Sequence, residues 1–93
     1  MGKYIIELSD EAKKDLNFHK KSGNKANLKK ISKIFEDLEN NPYEGIGNPE
    51  QLKHNLFGFW SRRINAKDRI IYSVHENLVL VQVVSAMGHY TDK

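Results

Sequence analysis

The hydrophobic periodicity changes halfway along this chain, and that change limits the fold more than any other feature. In residues 25–39, apolar side chains recur at the spacing of one helix face: Leu28, Ile31, Ile34, Phe35 and Leu38. The second half carries three strand-like runs instead, roughly residues 56–65, 69–74 and 78–87. A chain of 93 residues has room for one core. Helices and strands must therefore pack together in a single domain, residues 1–93.

A short strand and another helix precede these elements. Residues 3–8 are β-branched and aromatic enough for a strand, and Ser9 is a typical N-cap for a helix that reaches Lys20 or Lys21. Its inward residues are predicted to be Ala12, Leu16 and Phe18. The order β-α-α-β-β-β predicts an α+β fold, with two helices packed on one face of a mostly antiparallel sheet. The last run is apolar on both alternating sets, which is typical of a central strand.

The sheet face away from the helices is expected to carry polar side chains over a shallow groove. Strand alternation separates two sets of residues: Phe57, Phe59, Ser61 and Arg63 on one side, and Trp60, Arg62 and Ile64 on the other. A polar loop at residues 42–54 contains two prolines and two glycines. Loops of this length in a compact domain are often functional.

The net charge of +3 hides two clusters of basic residues. Eight lysines lie between residues 13 and 33, which indicates either a polyanion-binding surface or a solvated helix face. The second cluster contains Lys53, Arg62, Arg63, Lys67 and Arg69. Aromatic residues are interleaved with it, and arginines and aromatics can stack on unpaired bases. This cluster favours RNA binding.

Several function classes are disfavoured. The chain has no cysteine, no Gly-rich loop followed by Lys-Ser or Lys-Thr, and four histidines without paired spacing. We therefore expect neither a metal site nor a cofactor. The N-terminal apolar run stops at Ile6, and no run approaches the roughly 20 apolar residues of a membrane span. A cytoplasmic protein without a membrane partner is expected.

Five polar residues near strand ends are candidates for chemistry: Glu50, Arg63, Arg69, His89 and Tyr90. Each also has an ordinary explanation. Glu50 fits a solvated loop carboxylate, the arginines fit cross-strand charges, and the His-Tyr pair fits a chain end. The residues alone therefore leave a basic α+β domain that is suited to RNA.

A longer pattern narrows the function. The segment 49–64 (Pro-Glu-Gln-Leu-Lys-His-Asn-Leu-Phe-Gly-Phe-Trp-Ser-Arg-Arg-Ile) resembles the YoeB/Txe family of the RelE/ParE toxin superfamily. Arg69-Ile70-Ile71-Tyr72, the terminal His89-Tyr90 pair and the Pro42-to-Gly47 turn are also similar to that family. The resemblance implies a RelE-like fold and a type II toxin-antitoxin toxin.

The resemblance further implies a metal-free endoribonuclease that cleaves mRNA in the ribosomal A site. The ribose 2′-OH would attack the adjacent phosphate, with Glu50 as general base and His89 as general acid. Arg69, with Arg63, would hold the phosphate, and Tyr90 would orient the nucleotide. Lys53 and His54 would make secondary RNA contacts. Relatives are often acidic where Lys67 stands and end near the His-Tyr pair, which Thr91–Lys93 follow here.

The expected partners are a cognate Phd/YefM-like antitoxin, the ribosome with its mRNA, and a second copy of the chain in a homodimer. Two other interpretations stay open. One is a non-enzymatic ParE-like toxin that binds a protein such as DNA gyrase, and the other is a passive RNA-binding domain.

Overall fold

A computed structural model describes residues 3–87, and the sequence-predicted His89 and Tyr90 lie outside that range. Two helices and five strands follow one another along the chain: β1 (Ile5–Leu8), α1 (Asp10–Ser22), α2 (Lys25–Asn40), β2 (Glu50–Gln51), β3 (Trp60–Arg63), β4 (Arg69–His75) and β5 (Leu80–Ser85). Short 3-10 turns at His54–Leu56 and Glu76–Leu78 precede β3 and β5. None of the helices among residues 3–87 is long and apolar enough to cross a membrane.

The helices begin and end where local sequence signals place them. The Ser9 side chain accepts the Ala12 N–H at 3.0 Å, which confirms it as the N-cap of α1. Gly23, with φ +74°, ends that helix in the left-handed conformation. The inward position predicted for Phe18 is wrong, since Phe18 is 57% exposed. His19, the next residue, is buried instead.

The sheet confirms the predicted α+β class and adds one strand. Its order is β1-β5-β4-β3-β2, with β1 parallel to β5 and the other pairs antiparallel. The last strand lies between two neighbours, as predicted. The additional strand, Glu50–Gln51, falls inside the predicted loop. The strand predicted over residues 56–65 is shorter, Trp60–Arg63, because a 3-10 turn at residues 54–56 precedes it.

The core fills the space between the helices and one face of the sheet. Helix residues pack there against alternate strand residues, and the buried members include Ile31, Ile34, Leu38, Ile70, Tyr72, Val81 and Val83. Ser61 and Ile71 are also buried but alternate with the core residues along their strands. They therefore form the floor of the opposite face.

Candidate active site

Three of the sequence-predicted residues project from the sheet face opposite the helices. Glu50 pairs with Ser61, and Ser61 pairs with Ile71, so these positions on β2, β3 and β4 share one face of the sheet. Arg63 and Arg69 pair with each other two positions further along the same strands. Because side chains alternate with a period of two, both arginines project from that face as well.

The register also sets the spacing of these residues. Glu50 and Arg69 are separated by one intervening strand and two positions. With strands about 4.8 Å apart and a rise of about 3.4 Å per residue, their Cα atoms lie about 12 Å apart. Arg63 lies nearer, at about 8 Å from Glu50 by the same geometry. At these separations the long side chains of Glu50 and of the two arginines can reach a common region above the sheet face.

A cavity of about 330 Å³ opens between these strands and the segment that follows Glu50. Its lining residues are Glu50, Gln51, Leu52, Lys53, His54 and Arg69. Four of the sequence-predicted site residues therefore share one depression. Glu50, Lys53 and His54 are exposed and Arg69 is half-buried, so the polar groups face solvent. The arrangement presents one carboxylate among cationic and imidazole groups.

The paired arginines carry like charges on directly opposed positions, which is unfavourable in a sheet without a counter-ion. In the part of the chain that the structure describes, the one ion pair is formed elsewhere, by Arg62 and Asp37. The hairpin turn holds the arginines in register: the Asn65 side chain accepts the backbone N–H groups of Lys67 and Asp68, each at 2.8 Å. This geometry concentrates positive charge where an anion would be stabilised.

The segment carrying Lys53 and His54 is closed by its own backbone hydrogen bonds. The Leu52 N–H donates to the Phe59 carbonyl at 2.9 Å, and the Phe57 N–H donates to the His54 carbonyl at 3.0 Å. His54 adopts φ +59°, in the left-handed region. For a non-glycine residue this conformation costs on the order of 1–3 kcal/mol and often marks a functional site.

Arg62 is a buried organising residue, and the interpretation that placed it in an RNA-binding cluster is wrong. Its side chain is fully buried, and every guanidinium N–H donates to an oxygen atom. The acceptors are Tyr72 Oη at 3.1 Å, Asp37 Oδ2 at 2.8 Å, and the carbonyls of Ile46 at 3.0 Å, Asn41 at 2.8 Å and Glu44 at 3.2 Å. The Arg62 guanidinium group therefore has no N–H donor available for a hydrogen bond to RNA.

Through these hydrogen bonds, the loop between α2 and β2 (residues 41–49) packs around the Arg62 side chain. The Tyr72 hydroxyl, which accepts from Arg62, donates to the Pro42 carbonyl at 2.7 Å. Asp37 also accepts the Ile46 N–H at 3.1 Å. The loop is therefore fixed to α2 and to β4 just before it enters β2. The alternation of Trp60, Arg62 and Ile64 on the helix side was the sequence signal for this burial.

Near the start of that loop, the Glu76 carboxylate, in the 3-10 turn before β5, accepts hydrogen bonds from two tyrosine hydroxyls. The Tyr4 hydroxyl donates to Glu76 at 2.9 Å, and the Tyr43 hydroxyl donates to the same carboxylate. Partial desolvation and the bond to Glu76 raise the pKa of Tyr43 to about 12. The hydrogen bonds from Tyr43 and Tyr4 lower the pKa of Glu76. Tyr43 also packs edge-on against Trp60, with ring centroids 5.3 Å apart, so the loop is tied to β3.

No three His, Cys, Asp or Glu side chains within residues 3–87 are grouped as a metal ion would require.

The model of the YoeB-like toxin of bacterial type II toxin-antitoxin systems matches residues 8–90. The chain belongs to the YoeB-like toxin family. The resemblance read from the sequence is thereby confirmed, and the match covers every position of the predicted site. Glu50, Lys53, His54 and Arg69 thus lie in one cavity of a YoeB-like fold.

Individual relatives agree with this family. The toxin YoeB of Escherichia coli O6:H1 (strain CFT073) is 50% identical over 54 residues, 58% of this chain. The chain spans 64% of the length of that curated relative. A YoeB–YefM complex from Staphylococcus aureus contains a chain that is 36% identical, with a TM-score of 0.78 over 94% of this chain and 98% of that one. A YoeB dimer from the same organism is 36% identical, with a TM-score of 0.79 over 95% and 99% of the two chains.

Proposed function

We propose that this YoeB-like toxin is an endoribonuclease that cleaves mRNA in the ribosomal A site and so halts translation. One observation supports the proposal: by the strand register, Glu50 and the paired Arg63 and Arg69 belong to the same face of the sheet, opposite the helices. A carboxylate facing two guanidinium groups supplies a proton acceptor and an anion clamp. Transesterification at a phosphate needs both.

In the proposed reaction, Glu50 removes the proton from the ribose 2′-OH as the 2′-oxygen attacks the adjacent phosphorus. Arg69 and Arg63 donate hydrogen bonds to the phosphate oxygens, and these bonds strengthen as negative charge develops there. The bond from phosphorus to O5′ then breaks, and His89 supplies a proton to the leaving oxygen. The products are a 2′,3′-cyclic phosphate and a free 5′-hydroxyl, with no metal ion involved.

The remaining site residues position the RNA. Tyr90 orients the nucleotide by stacking or through its hydroxyl, and Lys53 and His54 bind neighbouring phosphates at the rim of the cavity. The ribosome contributes by holding the mRNA in a reactive geometry. The substrate and the ribosome place the proposed activity in the cytoplasm.

The proposed partners are an antitoxin of the Phd/YefM type and a second copy of the chain. The Staphylococcus aureus YoeB forms a complex with YefM and a dimer. An antitoxin that covers the Glu50–Arg69 cavity with acidic groups would neutralise this chain, because it would compete with the RNA phosphates for the same arginines.

The test uses purified protein and ribosomes that hold a defined mRNA. We expect cleavage at one A-site position, a cyclic phosphate end on the upstream fragment, and no cleavage of an mRNA with a single 2′-deoxynucleotide at that position. Equal cleavage of the deoxy substrate would contradict attack by the 2′-oxygen. Intact mRNA with inhibited DNA gyrase would favour the ParE-like alternative, and ribosome binding without cleavage would favour a passive binder.

A further inference from the structure

One large apolar side chain in the loop of residues 52–59 is exposed to solvent. Phe57 is 83% exposed, the highest value for any large apolar residue among residues 3–87. The other apolar side chains of the 52–59 loop, Leu52, Leu56 and Phe59, are partly buried. The exposure is therefore specific to Phe57 and is not a property of the whole loop.

Backbone hydrogen bonds fix the loop that carries Phe57. The Leu52 N–H closes its base on the Phe59 carbonyl at 2.9 Å, and the Phe59 N–H donates to the Leu56 carbonyl at 2.9 Å. Gly58, with φ +97°, follows Phe57 in a conformation that residues with a Cβ atom rarely adopt. A ring on a fixed backbone loses little conformational freedom when a ligand binds, so little of its contact energy is lost to ordering.

The same loop forms one wall of the cavity that contains the proposed active-site residues. Lys53 and His54 line that cavity together with Glu50 and Arg69. The Phe57 N–H donates to the His54 carbonyl at 3.0 Å. The first and last residues of such a turn have Cα atoms within about 7 Å of each other. The Phe57 backbone therefore lies at the rim of the proposed RNA site.

The surroundings of this ring favour RNA as its ligand. Lys53 and Arg69 supply cations that bind phosphate, and an unpaired nucleotide offers both a phosphate and a base with a π face. Basic grooves with aromatic side chains are typical of proteins that bind single-stranded nucleic acid. The core of a protein interface is an apolar patch, whereas the exposed neighbours of the ring are polar or small: His54, Asn55 and Gly58.

We propose that Phe57 is an RNA-binding residue whose phenyl ring stacks on an unpaired base of the mRNA next to the cleaved phosphate. The inference rests on the proposed function and deepens it, because it assigns a position that binds a base. Every base has a π face, so the contact tolerates all four bases. Phe57 thus adds affinity for the mRNA without reading its sequence.

The first test measures RNA binding without cleavage. All proteins carry Glu50→Gln, and short fluorescent RNAs are either complete or lack the base of one nucleotide. Adding Phe57→Ala should lower the affinity for complete RNA about 5- to 100-fold, the usual contribution of stacking on one base. Phe57→Tyr retains an aromatic ring and should keep most of the affinity. Phe18→Ala removes another exposed phenyl ring, from α1, and should bind like the Glu50→Gln parent.

The RNAs that lack one base identify the contact. If Phe57 stacks on a base, the parent should lose affinity when that base is removed, and Phe57→Ala should then cause no further loss. Additive losses at every position of the RNA would overturn the proposal. Unchanged RNA affinity in Phe57→Ala together with weaker binding of the antitoxin would also overturn it, and would assign the ring to a protein interface.

The second test uses programmed ribosomes and wild-type Glu50, so that failure of this inference is distinguishable from failure of the proposed function. Phe57→Ala should lower kcat/KM about 5- to 100-fold through KM, because the ring contacts the base before and during the reaction. Its melting temperature should match wild type, since the side chain is exposed. An unchanged KM would overturn the role of Phe57 and leave the endoribonuclease in place. A wild-type protein that leaves the mRNA intact would refute the proposed function itself.

Discussion

Removing the charge of Asp37 while keeping its shape tests the buried organising role of Arg62. In Asp37→Asn, an oxygen is retained for Arg62 and for the Ile46 N–H, but the guanidinium keeps a full charge at 0% side-chain exposure. Removing one partner of a buried ion pair typically costs about 3–5 kcal/mol. The Asp37 side chain is 32% exposed, so solvent screens part of the loss and about 2–3 kcal/mol is expected.

Thermal unfolding followed by circular dichroism measures this loss. At about 4–8 °C per kcal/mol for a domain of this size, the melting temperature should fall by roughly 8–24 °C. Glu36→Gln, an exposed carboxylate on the same helix, removes the same charge and should stay within about 0.5 kcal/mol of wild type. The reasoning is refuted if both variants melt alike, or if the effects of Asp37→Asn and Arg62→Met simply add.

Three further predictions concern the loop and the sheet face. Gly45→Ala would place a Cβ atom 1.6 Å from Asp37 Oδ2 at φ +133°, so its urea midpoint should fall further than that of Gly58→Ala, which has open space and a similarly positive φ. The Glu76 pKa is lowered from 4.5, so the stability advantage of wild type over Glu76→Gln should be complete above pH 4.5 and disappear as the pH falls through the lower folded value. Urea midpoints between pH 7 and pH 3 check this, and an advantage that grows in acid would contradict it. Arg63→Gln should weaken binding to single-stranded RNA and reduce the salt slope by about 0.7, measured by fluorescence titration, whereas an unchanged slope would remove Arg63 from the phosphate contacts.

Elements with local signals were predictable from the sequence. The Ser9 cap, the Gly23 break and the apolar spacing of α2 predict the helix bounds to within a few residues of those in the structure. The two-residue strand β2 was not predictable, because its formation depends on pairing with Ser61, which is distant in sequence. The inward position predicted for Phe18 is wrong for a related reason. Hydrophobicity favours Phe18 over His19 as the buried residue, but the inward position of His19 depends on a hydrogen bond to Ala86, which is distant in sequence.

The sequence supplied candidate residues for the site but not their arrangement in space. The family pattern supplied Glu50, Lys53 and Arg69, and the structure brings them to one cavity. The RNA-binding interpretation of Arg62 was wrong because arginine side chains are usually exposed, and this one is buried by acceptors that are distant in sequence: Asp37 on α2, carbonyl groups of the loop before β2, and Tyr72 on β4. Periodicity carries no information on such distant acceptors.

The rate of single-turnover mRNA cleavage on programmed ribosomes tests the central claim most directly. Wild type, Glu50→Gln, His89→Gln and the exposed-carboxylate control Glu36→Gln are compared at equal occupancy of the ribosome. If Glu50 and His89 act as base and acid, their variants should bind the ribosome normally and cut about 10²- to 10⁴-fold more slowly, while Glu36→Gln matches wild type. Cleavage at the wild-type rate by Glu50→Gln would contradict the account.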